Sequence, residues 1–176
     1  WALVNDVDVA GGYAYVTTEN AGFRVIDVTT PSAPVEVAVN DVWGWAVTVS
    51  GSYAYVAGNV WTGVNWVVGL AVIDVSTPSV PREVGLVFMS SAYDVAVASG
   101  HAYVAAGFGG LRAVDVSTPS APTEVGSVAA PDNVAGIAVE GGYAYITDAN
   151  DLRVLDVSTP SAPVEIGYLD TPGETS

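Results

Sequence analysis

The chain has 176 residues, of which 51% are hydrophobic, and its formal net charge at pH 7 is −15. Because phosphate backbones and anionic membrane surfaces attract Lys and Arg, a balance of 19 acidic residues against four arginines and no lysine argues against both partners. There is no cysteine for a disulfide or a thiolate metal site, and no apolar run approaches the ~18 residues of a membrane helix.

Two short phrases recur and divide the chain into units. The first phrase is "GGYAYV" at Gly11, and it returns in nearly the same words at 51, 99 and 141. The second, which we call the octet, is "DVSTPSAP" or a close variant, and its first proline recurs at intervals of 47, 41 and 41 residues. This period predicts a repeat architecture with units at 4–39, 40–86, 87–128 and 129–169, followed by a linker or tail at 170–176.

Each unit predicts four short strands, A to D, rich in Val, Ile, Tyr and Leu. In the last unit we expect them at 135–139, 143–147, 152–157 and 164–168. Strands A and B meet at a tight Gly-containing hairpin. Strands C and D are joined by the octet, whose prolines withhold backbone donors and therefore exclude a central strand.

Four strands per unit of about 40 residues are typical of a β-propeller blade. The combined pattern "YAYV…GLRxxDVSTPSAPxEVG" resembles the LVIVD-repeat proteins, and the resemblance covers all four units. It implies an all-β propeller of four-stranded antiparallel blades, in proteins of the cell surface or exterior, and it implies no particular reaction. Such propellers usually have more than four blades.

The sequence does not determine how the ring of blades closes. The four blades are expected to belong to a longer chain with a larger ring, to pair with another copy into an eight-bladed ring, or to close on themselves. We favour the first two, because an open arc would leave two apolar faces in water. The chain begins at Trp1 and has one methionine, Met89, so we expect a processed or partial product whose export signal lies elsewhere.

The octet aspartates are expected to be structural, because four scattered copies cannot converge on one substrate. Each is predicted to accept hydrogen bonds inside its own turn. These residues are Asp27, Asp74, Asp115 and Asp156.

Three arginines share one position on strand C, and each precedes a strand-D glutamate by twelve residues. Across the octet hairpin we expect these partners to lie opposite each other as ion pairs, worth only ~0.2–1 kcal/mol each. The pairs are Arg24 with Glu36, Arg112 with Glu124, and Arg153 with Glu165.

Tryptophan is concentrated where the units differ most. The B–C loop of the second unit is seven residues longer than that of the first, and the topology places all five tryptophans on one rim of the propeller. Variable loops on a rigid scaffold are frequent binding sites. We expect Trp1, Trp43, Trp61 and Trp66 to form a binding rim, and Trp45, near the start of strand A, to be buried.

Few residues are candidates for catalysis or for metal binding. Asp148, Asn150 and Asp151 have oxygen ligands at alternating spacing, but they lack the later glycine and glutamate of a calcium loop, so a solvated loop is the better interpretation. His101 has no second histidine or serine placed to assist it, and Asp6 and Asp94 are expected to face the central channel. No metal site, catalytic residue or cofactor is predicted.

These observations favour a non-catalytic interaction module that presents a Trp-rich rim to a protein or a glycan outside the cell or at its surface. Two alternatives remain. One is a propeller enzyme whose channel-mouth site is completed by blades outside this segment. The other is a purely structural component of an extracellular assembly that contacts its own copies.

Overall fold

The computed structural model describes residues 3–171, in which sixteen β-strands form four antiparallel sheets of four strands and no helix occurs. Accordingly, this part of the chain holds no helical segment with the length and apolarity to cross a bilayer. Blade 1 contains β1 (Val4–Ala10), β2 (Tyr13–Thr18), β3 (Phe23–Asp27) and β4 (Val35–Asn40). Blade 2 contains β5 (Trp43–Ser50), β6 (Tyr53–Trp61), β7 (Trp66–Asp74) and β8 (Arg82–Phe88). Blade 3 contains β9 (Asp94–Ala98), β10 (His101–Ala105), β11 (Leu111–Asp115) and β12 (Thr123–Val128). Blade 4 contains β13 (Gly136–Glu140), β14 (Tyr143–Thr147), β15 (Asp151–Asp156) and β16 (Val164–Asp170).

Every sheet is a meander in chain order, so the predicted all-β fold of four-stranded blades is confirmed. The A–B hairpins turn at glycines with positive φ, such as Gly11 and Gly12, a conformation that side chains disfavour. The four strands predicted for the last unit are all present. Strands A and C are each displaced by one residue from prediction, and strand D runs two residues further, to Asp170.

The octet forms two successive turns that are the same in all four blades. In blade 4, Oδ1 of Asp156 accepts hydrogen bonds from the backbone N–H of Ser158 at 2.9 Å and from its hydroxyl at 2.6 Å. The N–H of Ala162 then donates to the carbonyl of Thr159 at 2.9 Å, with Pro160 at the second position of that β-turn. The octet therefore satisfies its own polar groups and connects strands C and D without help from other blades.

The blades stack through apolar faces, with the innermost strands β1, β5, β9 and β13 side by side. We call the face toward the preceding blade the leading face and the opposite one the trailing face. Between blades 1 and 2, Tyr15, Phe23 and Val25 of the trailing face pack on Val47 and Ile73 of the leading face. The same arrangement recurs between blades 2 and 3 and between blades 3 and 4. Three interfaces thus form the core.

Aspartates on the innermost strands join neighbouring blades. The carboxylate of Asp6 accepts hydrogen bonds from the N–H of Val7 in its own strand and from the N–H of Val47 in blade 2, both at 2.8 Å. Asp94 likewise accepts from Val95 and from Ile137 of blade 4, both at 2.8 Å. Burial raises the pKa of Asp94 against the opposing effect of these two hydrogen bonds. The carboxylates therefore cap strand-edge donors that the meander leaves unpaired.

The arc is open within the described residues, because β13 does not pack on β1. Tyr145 on the trailing face of blade 4 is 37% exposed, whereas Tyr103, at the equivalent position of blade 3, is 3% exposed. Val7 on the leading face of blade 1 is 53% exposed, against 4% for the equivalent Val47. Four blades thus form a partial propeller with an apolar face at each end.

Candidate functional site

The two rims of the propeller differ in composition. On the turn rim, the A–B hairpin and the octet of each blade are joined by a backbone hydrogen bond, such as that from Val157 N–H to Gly142 O at 2.9 Å. On the loop rim, the B–C loops meet the linkers between blades, as where Glu19 N–H donates to Leu3 O at 3.0 Å. The turn rim repeats nearly the same residues four times. Only the loop rim varies enough to carry a unique site.

Blade 2 extends beyond the loop rim as a two-stranded ribbon. Its strands β6 and β7 have nine residues each and pair as far as Trp61 and Trp66, whereas β10 and β11 of blade 3 have five. Thr62 closes the ribbon by donating its N–H and its hydroxyl to Asn65 O, both at 3.0 Å. The tip residue Val64 is 84% exposed. The inserted sequence is therefore an ordered hairpin that presents two tryptophans on neighbouring strands.

The linker before blade 2 brings a third tryptophan to the ribbon. Val42 is buried in the core between blades 1 and 2, and its N–H donates to Oδ1 of Asn40 at 3.1 Å. This anchor holds the flanking residues Asp41 and Trp43 at the surface. Trp43 begins β5 and pairs in register with Asn59 of the ribbon.

These residues form an open cavity of about 230 Å³, lined by Asp41, Trp43, Trp61 and Trp66, which we call the tryptophan cleft. The ring centroids of Trp43 and Trp66 are 4.0 Å apart at an interplanar angle of 32°, and those of Trp61 and Trp66 are 5.3 Å apart at 51°. Trp61 and Trp66 keep about two-fifths of their surface in solvent. The cleft thus combines indole faces with one carboxylate.

A row of glycines at the base of the ribbon was not anticipated from the sequence. Gly44, Gly58 and Gly69 pair with each other across three neighbouring strands. A Cβ atom on Gly58 would lie 2.6 Å from the carbonyl oxygen of Trp43, and one on Gly69 would lie 2.1 Å from that of Val87. The close approach of these backbones is what allows the ribbon to leave the blade beside Trp43.

Two tryptophans differ from expectation. Trp45 was expected to be buried, and this prediction is wrong, since 39% of it is exposed. A β-bulge between Gly44 and Ala46 removes Trp45 from the strand pairing and turns it out of the blade interior. Trp1, also predicted for the binding rim, lies outside the described residues.

The three arginine–glutamate pairs are present, although their geometry differs from expectation. Arg24 is in backbone register with Val39, and Glu36 is in register with Ile26, because strand D carries one extra residue in a bulge. The side chains therefore meet along a diagonal instead of directly across. The contacts are Arg24 with Glu36, Arg112 with Glu124 at 2.8 Å, and Arg153 with Glu165 at 3.1 Å.

The loop considered for a metal holds a guanidinium group. Arg153 donates to Asp148 at 2.8 Å and to Asp151 at 2.6 Å, and its side chain is 11% exposed. The Asp148 hydrogen bond raises the pKa of Arg153. Burial works to raise the pKa of Asp148, yet the bonds from Arg153 and from two backbone N–H groups lower it overall. Asn150 donates its backbone N–H to Asp148 at 3.2 Å, and its carbonyl accepts hydrogen bonds from the N–H of Thr171 at 2.8 Å and from its hydroxyl at 2.7 Å. No cluster of ligands suited to a metal occurs within residues 3–171.

The octet aspartates do not converge on a shared pocket, and the cavity that Asp74 lines is formed by the octet of its own blade and Arg82. The hydroxyl of Thr29 or of the equivalent serine, and then the backbone N–H of the same residue, lower the pKa of each carboxylate. His101 also lies on the turn rim, with Nδ1 at 3.1 Å from Ser99 O, beside a seam between blades 3 and 4. A corresponding seam occurs between blades 1 and 2. Such repeated clefts follow from blade stacking.

Comparisons with known proteins agree with this architecture. The LVIVD repeat model matches residues 3–42, 44–88, 90–130 and 132–171. No curated protein matches the chain. Among solved structures, it is similar to the computationally designed Ika8 protein, with 12% identity and a TM-score of 0.70 over 96% of this chain and 49% of that one. It is also similar to a chain of a nidogen/laminin complex, with 11% identity and a TM-score of 0.64 over 94% of this chain and 62% of that one. The chain thus spans about half of the first structure and less than two thirds of the second, and these likenesses concern the fold.

Proposed function

This chain belongs to the LVIVD-repeat family, and we propose that it is a non-catalytic binding module, located outside the cell or at its surface, whose tryptophan cleft binds a glycan. The observation that carries the proposal is the convergence of Trp43, Trp61, Trp66 and Asp41 on one small open cavity. Their positions in the chain are separated by a strand hairpin, so only folding brings them together.

The chemistry of the cleft suits a sugar ring. The C–H face of a pyranose stacks on an indole ring, and the tilted planes of Trp61 and Trp66 offer two such surfaces in a cleft of about 230 Å³. Asp41 supplies a hydrogen-bond acceptor for sugar hydroxyls. A concave aromatic site with a few polar groups is the usual form of a small-ligand pocket.

A protein partner is the second candidate. Exposed tryptophans dominate the energetics of many protein interfaces. The ribbon carries the exposed Val64 next to Trp61 and Trp66, which would extend an apolar contact beyond the cleft. A solved structure with a similar fold comes from a nidogen/laminin complex, which favours a protein-binding role for this scaffold.

Glycan-array screening followed by calorimetry on the best neutral oligosaccharide tests the proposal. Trp61→Ala and Trp66→Ala should weaken binding about tenfold or more, as expected for truncation of a central aromatic. Trp45→Ala is the matched control, because Trp45 is similarly exposed and lies outside the cleft.

Glycan binding that survives both cleft substitutions, or an array without binders, would contradict the glycan proposal. The protein candidate is tested separately by pull-down with immobilised extracellular-matrix proteins, again comparing Trp66→Ala with Trp45→Ala. Location is tested by protease treatment of intact cells, which should remove the protein if it is exposed outside.

A further inference from the structure

We propose that two copies of this chain associate head to tail, with blade 1 of each seated on blade 4 of the other, so that two open arcs complete one eight-bladed ring. The inference concerns the two end faces of the arc and is independent of the tryptophan cleft on blade 2.

On the trailing face of blade 4, a glycine lacks the contact with a neighbouring octet that its equivalents make in blades 2 and 3. In blade 2, a Cβ atom on Gly85 would lie 2.2 Å from the carbonyl oxygen of Pro119 in the octet of blade 3. In blade 3, Gly126 has the same relation to Pro160 of blade 4, also at 2.2 Å. Gly167 is the equivalent residue of blade 4, and a Cβ atom there would meet nothing within 4 Å. Blade 4 therefore keeps the glycine without the loop that it accommodates elsewhere.

On the leading face of blade 1, the octet is more exposed than its equivalents in the other blades. Pro163 of blade 4 is buried against blade 3, whereas the equivalent Pro34 of blade 1 is exposed. Ile26 and Val28 of blade 1 are partly exposed, although Ile73 and Val75 are buried at the same positions of blade 2. The octet of blade 1 and Gly167 of blade 4 therefore both lack a neighbouring blade, and they are located at opposite ends of the arc.

The two end faces match because each repeats a surface that already forms interfaces inside the chain. Val7 and Ile26 would occupy the places that Ile137 and Leu155 take against blade 3, while Tyr145 would be covered as Tyr103 is. The new contact would be a fourth instance of an interface that occurs three times. Continuity with an observed interface is the reason to assign these faces to blades of the same kind.

The curvature of the arc fits closure by two copies. The chain superposes on the designed Ika8 protein over 96% of its own length and 49% of the other chain, which leaves room for a second arc of equal length. A head-to-tail contact forms a closed ring when the rotation per copy divides the full circle, and otherwise an open filament. With half a ring per copy, two copies close and bury all four end faces.

The test is light scattering coupled to size-exclusion chromatography over a dilution series of the 176-residue chain. The wild type should change from twice the monomer mass of 17.9 kDa to the monomer mass on dilution. Because each copy carries a net charge of −15, the dissociation constant should fall as salt screens the repulsion.

Two charge-neutral variants block one face each. Gly167→Val places a branched side chain where the octet of the other copy would pack. Valine is used instead of alanine because Ala38 occupies the equivalent position of blade 1, where a methyl group is accommodated. Val7→Gln places an amide on the opposite face. Each should raise the dissociation constant at least about tenfold, because a misfitting or unpaired group is then buried in both copies of the interface. Ser127→Val, on an exposed outer strand of blade 3, is the matched control and should dimerise like the wild type.

Mixing the two blocked variants identifies the head-to-tail geometry. In the mixed pair, the unmodified leading face of Gly167→Val meets the unmodified trailing face of Val7→Gln, and the second contact carries both substitutions. An equimolar mixture should therefore recover, through one intact contact, a heterodimer that neither variant forms alone and that is weaker than the wild-type dimer. Circular dichroism melts show whether each variant is folded, and Gly167→Val alone suffices if Val7→Gln melts early.

Three results would overturn the proposal. A wild type that is monomeric at every concentration would assign the end faces to further blades of the same polypeptide. Dimers that persist in both variants would place the contact on another surface, and assemblies that grow with concentration would show that the ring does not close. Trp61→Ala should dimerise normally, so failure of the dimer proposal is distinguishable from failure of the glycan proposal.

Discussion

Blades 3 and 4 share the octet and the A–B hairpin phrase, and they differ in their surroundings. Leu111 and Tyr103 of blade 3 are buried against blade 4, whereas the equivalents Leu152 and Tyr145 at the end of the arc are partly exposed. Likewise, a Cβ atom on Gly126 would meet the octet of blade 4, whereas one on the equivalent Gly167 would meet nothing within 4 Å. Each repeat is therefore built as if both neighbours were present. The difference shows that the local meander is independent of its neighbours, while burial of its side chains depends on them.

The largest expected difference between these blades comes from Gly126→Val and Gly167→Val. The first variant should fail to fold cooperatively, because a Cβ atom at Gly126 would lie 2.2 Å from the backbone of Pro160. The second should leave the monomer's thermal unfolding nearly unchanged, since Gly167 is open. Equal loss in both, measured by calorimetry, would mean that blade 4 is covered in the isolated chain.

The next contrast compares Leu111→Ala with Leu152→Ala in the monomeric Gly167→Val background. Leu111 is fully buried, so its truncation should lower the free energy of unfolding by about 2–5 kcal/mol. Leu152 is partly exposed and should cost clearly less. Urea unfolding measures both, and similar costs would contradict the view that neighbours determine the energetics.

Substitution of the strand-C arginine should cost more stability in blade 4 than in blade 3, the reverse of the order expected for leucine. Arg153→Met leaves Asp148 without its guanidinium partner, although the side chain of Asp148 is fully buried, and should cost about 1–3 kcal/mol. Arg112→Met breaks a more exposed pair and should cost about 0.2–1 kcal/mol in the same urea titration. Equal costs would show that the three-carboxylate cage around Arg153 adds nothing.

The smallest effect concerns the octet aspartates, which should behave alike in both blades. Hydrogen bonds lower the pKa of Asp115 and Asp156 below the ordinary value of 3.8, so each stabilises the fold above that pH and loses the contribution as pH falls through the lowered pKa. The stability gap between wild type and Asp115→Asn or Asp156→Asn should thus be present near neutral pH and vanish in strong acid. Because His101 of the same blade also lowers the pKa of Asp115, the comparison is made in a His101→Tyr background, where unequal gaps would show that the turn depends on neighbouring blades.

Much of the fold was predictable because its information is local. The repeated octet determines a turn that satisfies its own hydrogen bonds, and β-branched residues between such turns have little alternative to strands. The arginine–glutamate pairs were predictable from their spacing, although the strand-D bulge that makes them diagonal has no clear mark in the sequence. Topology also indicated that Trp43, Trp61 and Trp66 lie near one another, as they do in the cleft, and their role in binding stays a prediction.

Other features were not predictable because they depend on atoms distant in the chain. Trp45 was expected to be buried, but the bulge at Gly44 and Ala46 turns it outward. The approach of Trp43 to the ribbon depends on three glycines whose backbones touch only after the strands pair. The bridging of blades by Asp6 and Asp94 needs the distance between two innermost strands, which no single repeat contains.

The sequence by itself determined the blade: four strands, their order, and the turns between them, since each depends on contacts within about forty residues. Only the tertiary structure decided which faces are covered, which carboxylates neutralise Arg153 and which tryptophans share a cleft. The physical reason is that burial and electrostatic pairing depend on neighbours in space, and equivalent positions of similar repeats have different neighbours in the middle and at the ends of an open arc.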